Sequence, residues 1–205
     1  AFGGPVPIHM TLHDSSGQSL SVEYIKGELH MLDNPTGVYT NNPPLPYHLA
    51  AAGNYANLSA NPPAVMRING QTLPPASSGV GLHGLPGGFL STSRFIRALI
   101  LSNNAPTDLS SAQQVGTAFH LLGQFNLPPG SIVLPPGGAF GGGSSKASYE
   151  ITEWSVVADQ KNGTYSIKTF ENPDLRQLRF ADLPLSGGEI KLMPLTQQQS
   201  ITELR

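Results

Sequence analysis

Ile8-His-Met10-Thr-Leu12-His13-Asp14-Ser-Ser-Gly17-Gln-Ser-Leu20-Ser-Val22-Glu23-Tyr24-Ile-Lys26-Gly27-Glu28-Leu29-His30-Met-Leu32 is the stretch whose reading decides the fold class. Ile8, Met10 and Leu12 alternate with His9, Thr11 and His13, a two-residue period that sends successive side chains to opposite faces of a strand. Asp14-Ser-Ser-Gly17 is turn chemistry, after which Leu20, Val22 and Tyr24 resume the alternation. Lys26-Gly27-Glu28 turns the chain once more into residues 29–32. The reading is a meander of three short antiparallel strands, broken by Asn34-Pro35 before the short apolar piece Val38-Tyr39-Thr40.

Downstream the pattern changes. Asn41-Asn42-Pro43-Pro44 ends the strand region, and residues 45–58 read as a helix weakened by Gly53 and Asn54. Residues 60–89 read mostly as loop. Ser91-Thr92-Ser93 is positioned to cap a helix over residues 94–101, with Phe95 and Leu99 facing inward. Thr107 or Ser110 starts another, through Val115, Phe119, Leu122 and Phe125, until Pro128-Pro129-Gly130. Strands return at residues 151–158 and 164–170, around Asp159-Gln-Lys-Asn162-Gly163, because Asn-Gly between alternating runs is a strong hairpin signal. Residues 132–134 and 178–180 are further strand candidates. Residues 137–143, five of them glycine, read as a flexible loop. Strands, then helices, then strands define an α+β fold with an antiparallel sheet, taken as a single domain over residues 1–205.

Composition excludes several classes. With 11 Lys+Arg against 13 Asp+Glu and a net charge of -2, no basic stripe is available for phosphates, so no nucleic-acid partner is expected. The chain has no cysteine, which removes disulfides, cysteine-ligated metals and a cysteine nucleophile from these residues. The apolar run at 95–101 is interrupted by Arg97 and too short for a bilayer, and Ala1-Phe-Gly-Gly-Pro5 has no signal-peptide pattern. A soluble chain without a membrane partner is the expectation.

Other motifs fail on context. Gly79-Val-Gly81-Leu-His-Gly84 spells a dinucleotide fingerprint, yet Pro74-Pro75 precedes it and Leu85-Pro86-Gly87-Gly88 follows, where a strand and a helix are required. No cofactor is expected. His9 and His13 are spaced as a helical zinc pair but lie in a strand pattern, so half-buried or surface histidines are the simpler reading and no metal is assigned. Trp154 reads as a core aromatic. No Gly-x-Ser-x-Gly elbow occurs.

Two segments carry chemistry. In Tyr39-Thr40-Asn41-Asn42-Pro43-Pro44, an Asn fixed by the following Pro-Pro presents an amide N–H₂ of the kind that stabilises a developing oxyanion; the plainer alternative is an Asx turn. In Gly81-Leu-His-Gly84-Leu-Pro86-Gly87-Gly-Phe-Leu-Ser91-Thr-Ser93-Arg94-Phe95, a Gly/Pro loop feeds a helix carrying Arg94 in its first turn. A cation at the positive end of a helix dipole is unfavourable, by about 0.3–1 kcal/mol, which points to a partner group; an ordinary surface Arg is the alternative.

These segments resemble the choloylglycine hydrolase family of linear amide C–N hydrolases, which includes penicillin V acylases and conjugated bile acid hydrolases. The resemblance runs through residues 7–23, Gly37-Val-Tyr-Thr40-Asn41-Asn42-Pro43, Gly81-Leu-His-Gly84-Leu-Pro86-Gly87, Ser93-Arg94-Phe95, Phe119-His120-Leu-Leu and Thr169-Phe170-Glu-Asn-Pro173. It implies an N-terminal nucleophile hydrolase with a four-layer αββα sandwich, in which an N-terminal Cys attacks an amide and its own α-amine serves as base. Asn41 then matches an oxyanion-hole donor, and Arg94 an Arg near the nucleophile. Gly88 stands where the family commonly has Asp, and residues 197–199, a Gln-rich tail, match no motif.

With no Cys, the chain is expected to be the C-terminal portion of such an enzyme, inactive alone, with the missing N-terminal portion or a partner chain supplying the nucleophile. Asn41 and Arg94 should converge on a pocket. The substrate is a small N-acyl amide: penicillin V, an acyl-homoserine lactone or a bile-acid conjugate. The full-length enzyme is expected to be bacterial, homo-oligomeric, and periplasmic or secreted by analogy. The competing readings are a non-catalytic β-rich binding module and a degenerate family member that only binds acyl ligands.

Overall fold

In a computed structural model of the chain, the described residues are 8–137, 145–184, 186, 188, 192–195 and 199–203. Most of the glycine loop at 138–143 and Gln197 and Gln198 of the tail lie outside them. The chain divides into two compact units, Ala1–Pro106 and Thr107–Arg205.

The first unit opens with the expected meander: β1 (Met10–His13), β2 (Ser19–Ile25) and β3 (Glu28–Asp33), antiparallel in that order, with Met10 opposite Val22 and Val22 opposite Met31. Asp14 Oδ1 accepts from the backbone and hydroxyl of Ser16 and the backbone of Gln18, which closes the first turn. Lys26 and Gly27, at φ 53° and 88°, make the tight second turn, a type that matches the strand twist.

The faces of this sheet are inverted relative to an ordinary core. Ser21 and Glu23 are buried, whereas Tyr24 is 70% and Met31 69% exposed, together with Met10, Leu12 and Leu29 on the same face. The alternation sorts residues into faces, but the polar face is the covered one.

That covered face meets two helices. In α1 (Leu45–Ala52), Pro44 and Pro46 fit the first turn, which lacks intrahelical acceptors for its N–H groups. It gives way at Gly53 to a short 3₁₀ turn, so the expected helix over 45–58 is interrupted where Gly53 and Asn54 stand. The other is α2 (Ser91–Asn103). Leu45, Phe95 and Ile96 form the buried cluster, with Leu32, Val38, Tyr39, Leu49, Leu99 and Ile100 packed on it.

Two expectations fail in this unit. Helix α2 begins at Ser91, not Arg94, and no side chain caps it; Ser91, Thr92 and Ser93 lie inside the first turn. Residues 60–89 contain a hairpin, β4 (Met66–Ile68) and β5 (Gln71–Leu73), turned by Asn69-Gly70 with φ 48° and 79°. Of the dinucleotide-like glycines, Gly79 and Gly81 lie in a 3₁₀ turn (Ser78–Leu82) and Gly84 just beyond it; a Cβ on Gly81 would overlap the carbonyls of Ser59 and Asn61. Close backbone packing is the reason for that glycine.

The second unit carries α3 (Ser111–Gly123), which packs on a three-stranded antiparallel sheet. Ser110 caps α3 in a reciprocal box with Gln113. The helix ends at Gly123, ahead of the prolines at 128–129. A two-stranded pair, β6 (Val133–Leu134) with β7 (Ser148–Tyr149), comes next in the chain. The larger sheet runs β8 (Trp154–Asp159), β9 (Thr164–Thr169) and β10 (Arg176–Arg179), with β9 in the middle. Asp159 pairs with Thr164, so Asn162-Gly163 closes a four-residue connection in place of a two-residue turn. Trp154 is not a core residue: it is 59% exposed at the start of β8. Antiparallel sheets with packed helices confirm the α+β reading at this level.

Candidate functional site

The segment 39–45 leaves the meander and enters α1, and its two ends are tied to one buried carboxylate. Glu23, on the covered face of β2, accepts at Oε1 from Ser21 Oγ (2.9 Å) and from the backbone N–H of Leu45 (3.1 Å), the first residue of α1. An anion at a helix N-terminus satisfies an orphan donor and complements the dipole. Tyr39, at the other end, lies beside the same carboxylate. Burial raises its hydroxyl pKa and the Glu23 charge raises it further, so the phenol stays protonated. The His9 ring rests on Tyr39 with centroids 4.0 Å apart.

Between these ties stands Asn41. Its side-chain oxygen accepts from Arg94 Nη2 at 2.6 Å, while Arg94 Nε donates to the Phe89 carbonyl at 3.1 Å. One guanidinium thus joins the loop before α2 to the loop before α1. The backbone carbonyl of Asn41 accepts twice more, from Ser91 Oγ at 2.5 Å and from His48 Nε2 at 2.9 Å. Thr40 Oγ1 donates to the Ser91 carbonyl at 3.1 Å. Helix α2 is uncapped because the residue at its N-cap is Leu90, which has no side-chain acceptor, while Ser91 lies one position inside the helix with its hydroxyl donated to Asn41.

The Arg94 bond decides the orientation of the amide. Guanidinium has donors only, so it takes the oxygen end of Asn41 and turns Nδ2 away from itself. No described group accepts from Nδ2, and Asn41 is exposed. The two residues singled out from sequence are therefore brought together, at an open surface: neither Asn41 nor Arg94 lines the cleft of about 850 Å³ formed by the 12–20 and 33–37 segments.

One turn along α2, buried Arg97 donates from Nη1 to the carbonyls of Pro86 (2.7 Å) and Gly88 (3.3 Å), holding the Leu-Pro-Gly loop that leads to Phe89. Burial lowers its pKa. Among the described residues no group of three or more His, Asp or Glu is placed to hold a metal ion; His9 stacks on Tyr39 and His13 is exposed. No described helix is long and apolar enough to cross a membrane.

Sequence reading missed Glu23, His48 and Ser91. The signal for His48 was present: it falls three residues after Leu45 and one before Leu49, a polar residue on the stripe that faces the core.

The described residues thus form antiparallel sheets with packed helices, and an Arg holds the oxygen end of an exposed Asn amide while its N–H₂ faces away. The family model of linear amide C–N hydrolases, choloylglycine hydrolase family, matches residues 1–193, and the chain belongs to that family. A bile salt hydrolase/transferase of Lactiplantibacillus plantarum is 30% identical over 192 residues, 94% of this chain and 56% of the relative. A crystal structure of a mutant conjugated bile acid hydrolase from Clostridium perfringens is similar with a TM-score of 0.78 at 27% identity, covering 96% of this chain and 57% of that one. The penicillin V acylase of Agrobacterium tumefaciens shares the fold, with a TM-score of 0.61 at 22% identity over 87% of this chain and 47% of its own. The chain spans about half the length of the relatives it matches.

Proposed function

We propose that this chain is the C-terminal portion of an enzyme that cleaves a small N-acyl amide through an acyl-enzyme. In this reading a cysteine thiol from polypeptide other than these residues gives its proton to the α-amine of the same Cys, and its sulfur attacks the amide carbonyl. Negative charge develops on the carbonyl oxygen. Asn41 Nδ2 donates to that oxygen, and Arg94 keeps the amide pointing correctly. The ammonium returns its proton to the leaving nitrogen, a thioester remains, and water hydrolyses it to the free acid.

The observation that carries the reading is the Arg94–Asn41 bond, because it commits the amide oxygen and frees only the donor end. The absence of cysteine from the 205 residues is why the nucleophile is assigned elsewhere. The open apolar face of the meander supports the four-layer αββα sandwich, in which such a face is covered by a further layer.

The test is expression of the polypeptide that joins this chain to its nucleophile-bearing segment. Conjugated bile acids, penicillin V and acyl-homoserine lactones would be assayed side by side for release of the amine. Turnover of at least one, abolished when the N-terminal Cys is changed to Ala, is the expected result; the 205-residue chain alone should give none. Binding of these ligands without turnover by the complete protein would replace the hydrolase with the acyl-binding reading.

A further inference from the structure

We infer that His48 is a positioning residue for the Asn41 amide, an inference that rests on the proposed hydrolase reading for its kinetic consequence but not for its structural one.

His48 is fully buried, on the core-facing stripe of α1, and its ring stacks on Phe95 of α2 with centroids 4.9 Å apart and planes 12° from parallel. Its Nε2 lies 2.9 Å from the carbonyl oxygen of Asn41. A carbonyl only accepts, so Nε2 carries the hydrogen. The other tautomer would face a lone pair to that oxygen and strand a buried N–H at Nδ1, which has no hydrogen-bond partner. The stack and the carbonyl therefore lock both ring plane and tautomer.

The consequence falls on Asn41. Ser91 Oγ and His48 Nε2 both donate to its carbonyl oxygen, from helices α2 and α1 respectively. Two donors from different elements define the peptide plane, and hence the direction of the Cα–Cβ bond. Arg94 then sets the amide rotation through Oδ1. The backbone is fixed by His48 and Ser91, the side chain by Arg94, and Nδ2 is left with one direction to point. Ser91 is a hydroxyl on a helix end that can rotate; the stacked imidazole cannot.

The experiment uses the full-length enzyme and two replacements. His48→Phe keeps the stack on Phe95 and removes the donor; His48→Gln keeps an N–H donor near the Nε2 position. His48→Phe should lower kcat about tenfold, within the loss of roughly 10²-fold that a 1 Å misplacement can cause, with KM changed less than about twofold. His48→Gln should stay within about threefold of the parent. In an Asn41→Ala background His48→Phe should have no further effect on kcat, because the group it positions is gone. An undiminished loss in that background, or equal losses in Phe and Gln variants, would overturn the inference. Nuclear magnetic resonance gives a readout independent of turnover: the Asn41 Nδ2 resonances should be displaced from random-coil positions in the parent and the Gln variant, and fall back toward them in the Phe variant. Unchanged resonances in the Phe variant would refute the positioning role, whereas an inactive parent with the expected resonances would refute only the hydrolase reading.

Discussion

Arg94 Nη2 lies 2.6 Å from Asn41 Oδ1, although 53 residues separate them in the chain. The bond resolves why a cation sits near the positive end of α2: its partners are the Asn41 amide and the Phe89 carbonyl, both just outside the helix.

Changing Asn41 to Asp tests the donor itself. The carboxylate retains an oxygen for Arg94, so the thermal midpoint should stay within about 2–4 °C, less than 1 kcal/mol for a chain of this size. The N–H₂ is lost, however, and a negative charge is added where the oxyanion would form. In the full-length enzyme kcat should fall about 10²–10³-fold, the range for removing one oxyanion-hole donor. Steady-state kinetics beside a thermal melt would check both halves, and an active Asn41→Asp enzyme would exclude the amide from that role.

Glu23 gives a prediction about stability. Its carboxylate serves Ser21 Oγ and the Leu45 N–H from a position only 4% exposed. Glu23→Ala leaves the Leu45 donor buried without its acceptor, a loss of about 1–3 kcal/mol. Glu23→Gln preserves an oxygen and should lose roughly half of that or less. Urea unfolding of the three proteins at neutral pH separates the cases. Equal stability of the Ala and parent forms would show that water replaces the carboxylate.

The fold was legible where local chemistry decides it. Alternation marks the meander, Gly53 and Asn54 weaken the helical pattern where α1 gives way to a 3₁₀ turn, and Ser110 is one of the two candidate starts, with Thr107, of the helix that becomes α3. The errors arise where tertiary partners decide. Ser91 looks like a cap because Ser is favoured just before a helix, but the helix begins at Ser91 itself, with Leu90 at the N-cap, and the Ser91 hydroxyl is donated to a carbonyl 50 residues away. Asn-Gly turned the chain at two places, and the tight two-residue turn is Asn69-Gly70, flanked by strands too short to register as alternating runs. At Asn162 the side chain is drawn to Asp159 and Ser111, which fits the longer connection. Trp154 reads as a core residue because aromatic residues in strands usually are buried, yet it is exposed, since no local pattern reports which face a sheet covers. Of the site, Asn41 and Arg94 were readable as residue types in a Pro- and Gly-shaped setting. Their mutual bond, and the contributions of Glu23 and His48, depend on contacts between elements.

Ser110 anchors the second unit. Its hydroxyl and backbone engage Gln113 at the first turn of α3. Ser110→Ala should lower stability by about 1 kcal/mol, the usual loss of a Ser N-cap, and Ser110→Asp should retain most of it. Denaturant melts followed by circular dichroism would show the order parent, Asp, Ala. A destabilised Asp variant would mean that the hydroxyl hydrogen bond to Gln113 outweighs the cap acceptor.

His9 makes stability pH-dependent with a definite sign. Burial against Tyr39 lowers its pKa below the ordinary value of 6.5, and the Glu23 charge opposes this to a smaller extent. The folded state therefore takes up a proton at lower pH than the unfolded state. The stabilisation from neutral His9 is fully present above pH 6.5 and is lost as pH falls through the depressed folded-state value. His9→Phe keeps a ring on Tyr39 and does not titrate. The difference in thermal midpoint, parent minus variant, should accordingly decline between pH 7.5 and pH 5, by about one to several °C for a shift of this kind. Other titrating groups are common to both proteins and cancel in the difference. Parallel curves would mean that His9 has the same pKa folded and unfolded, and a difference that grows on acidification would mean that Glu23 dominates over burial.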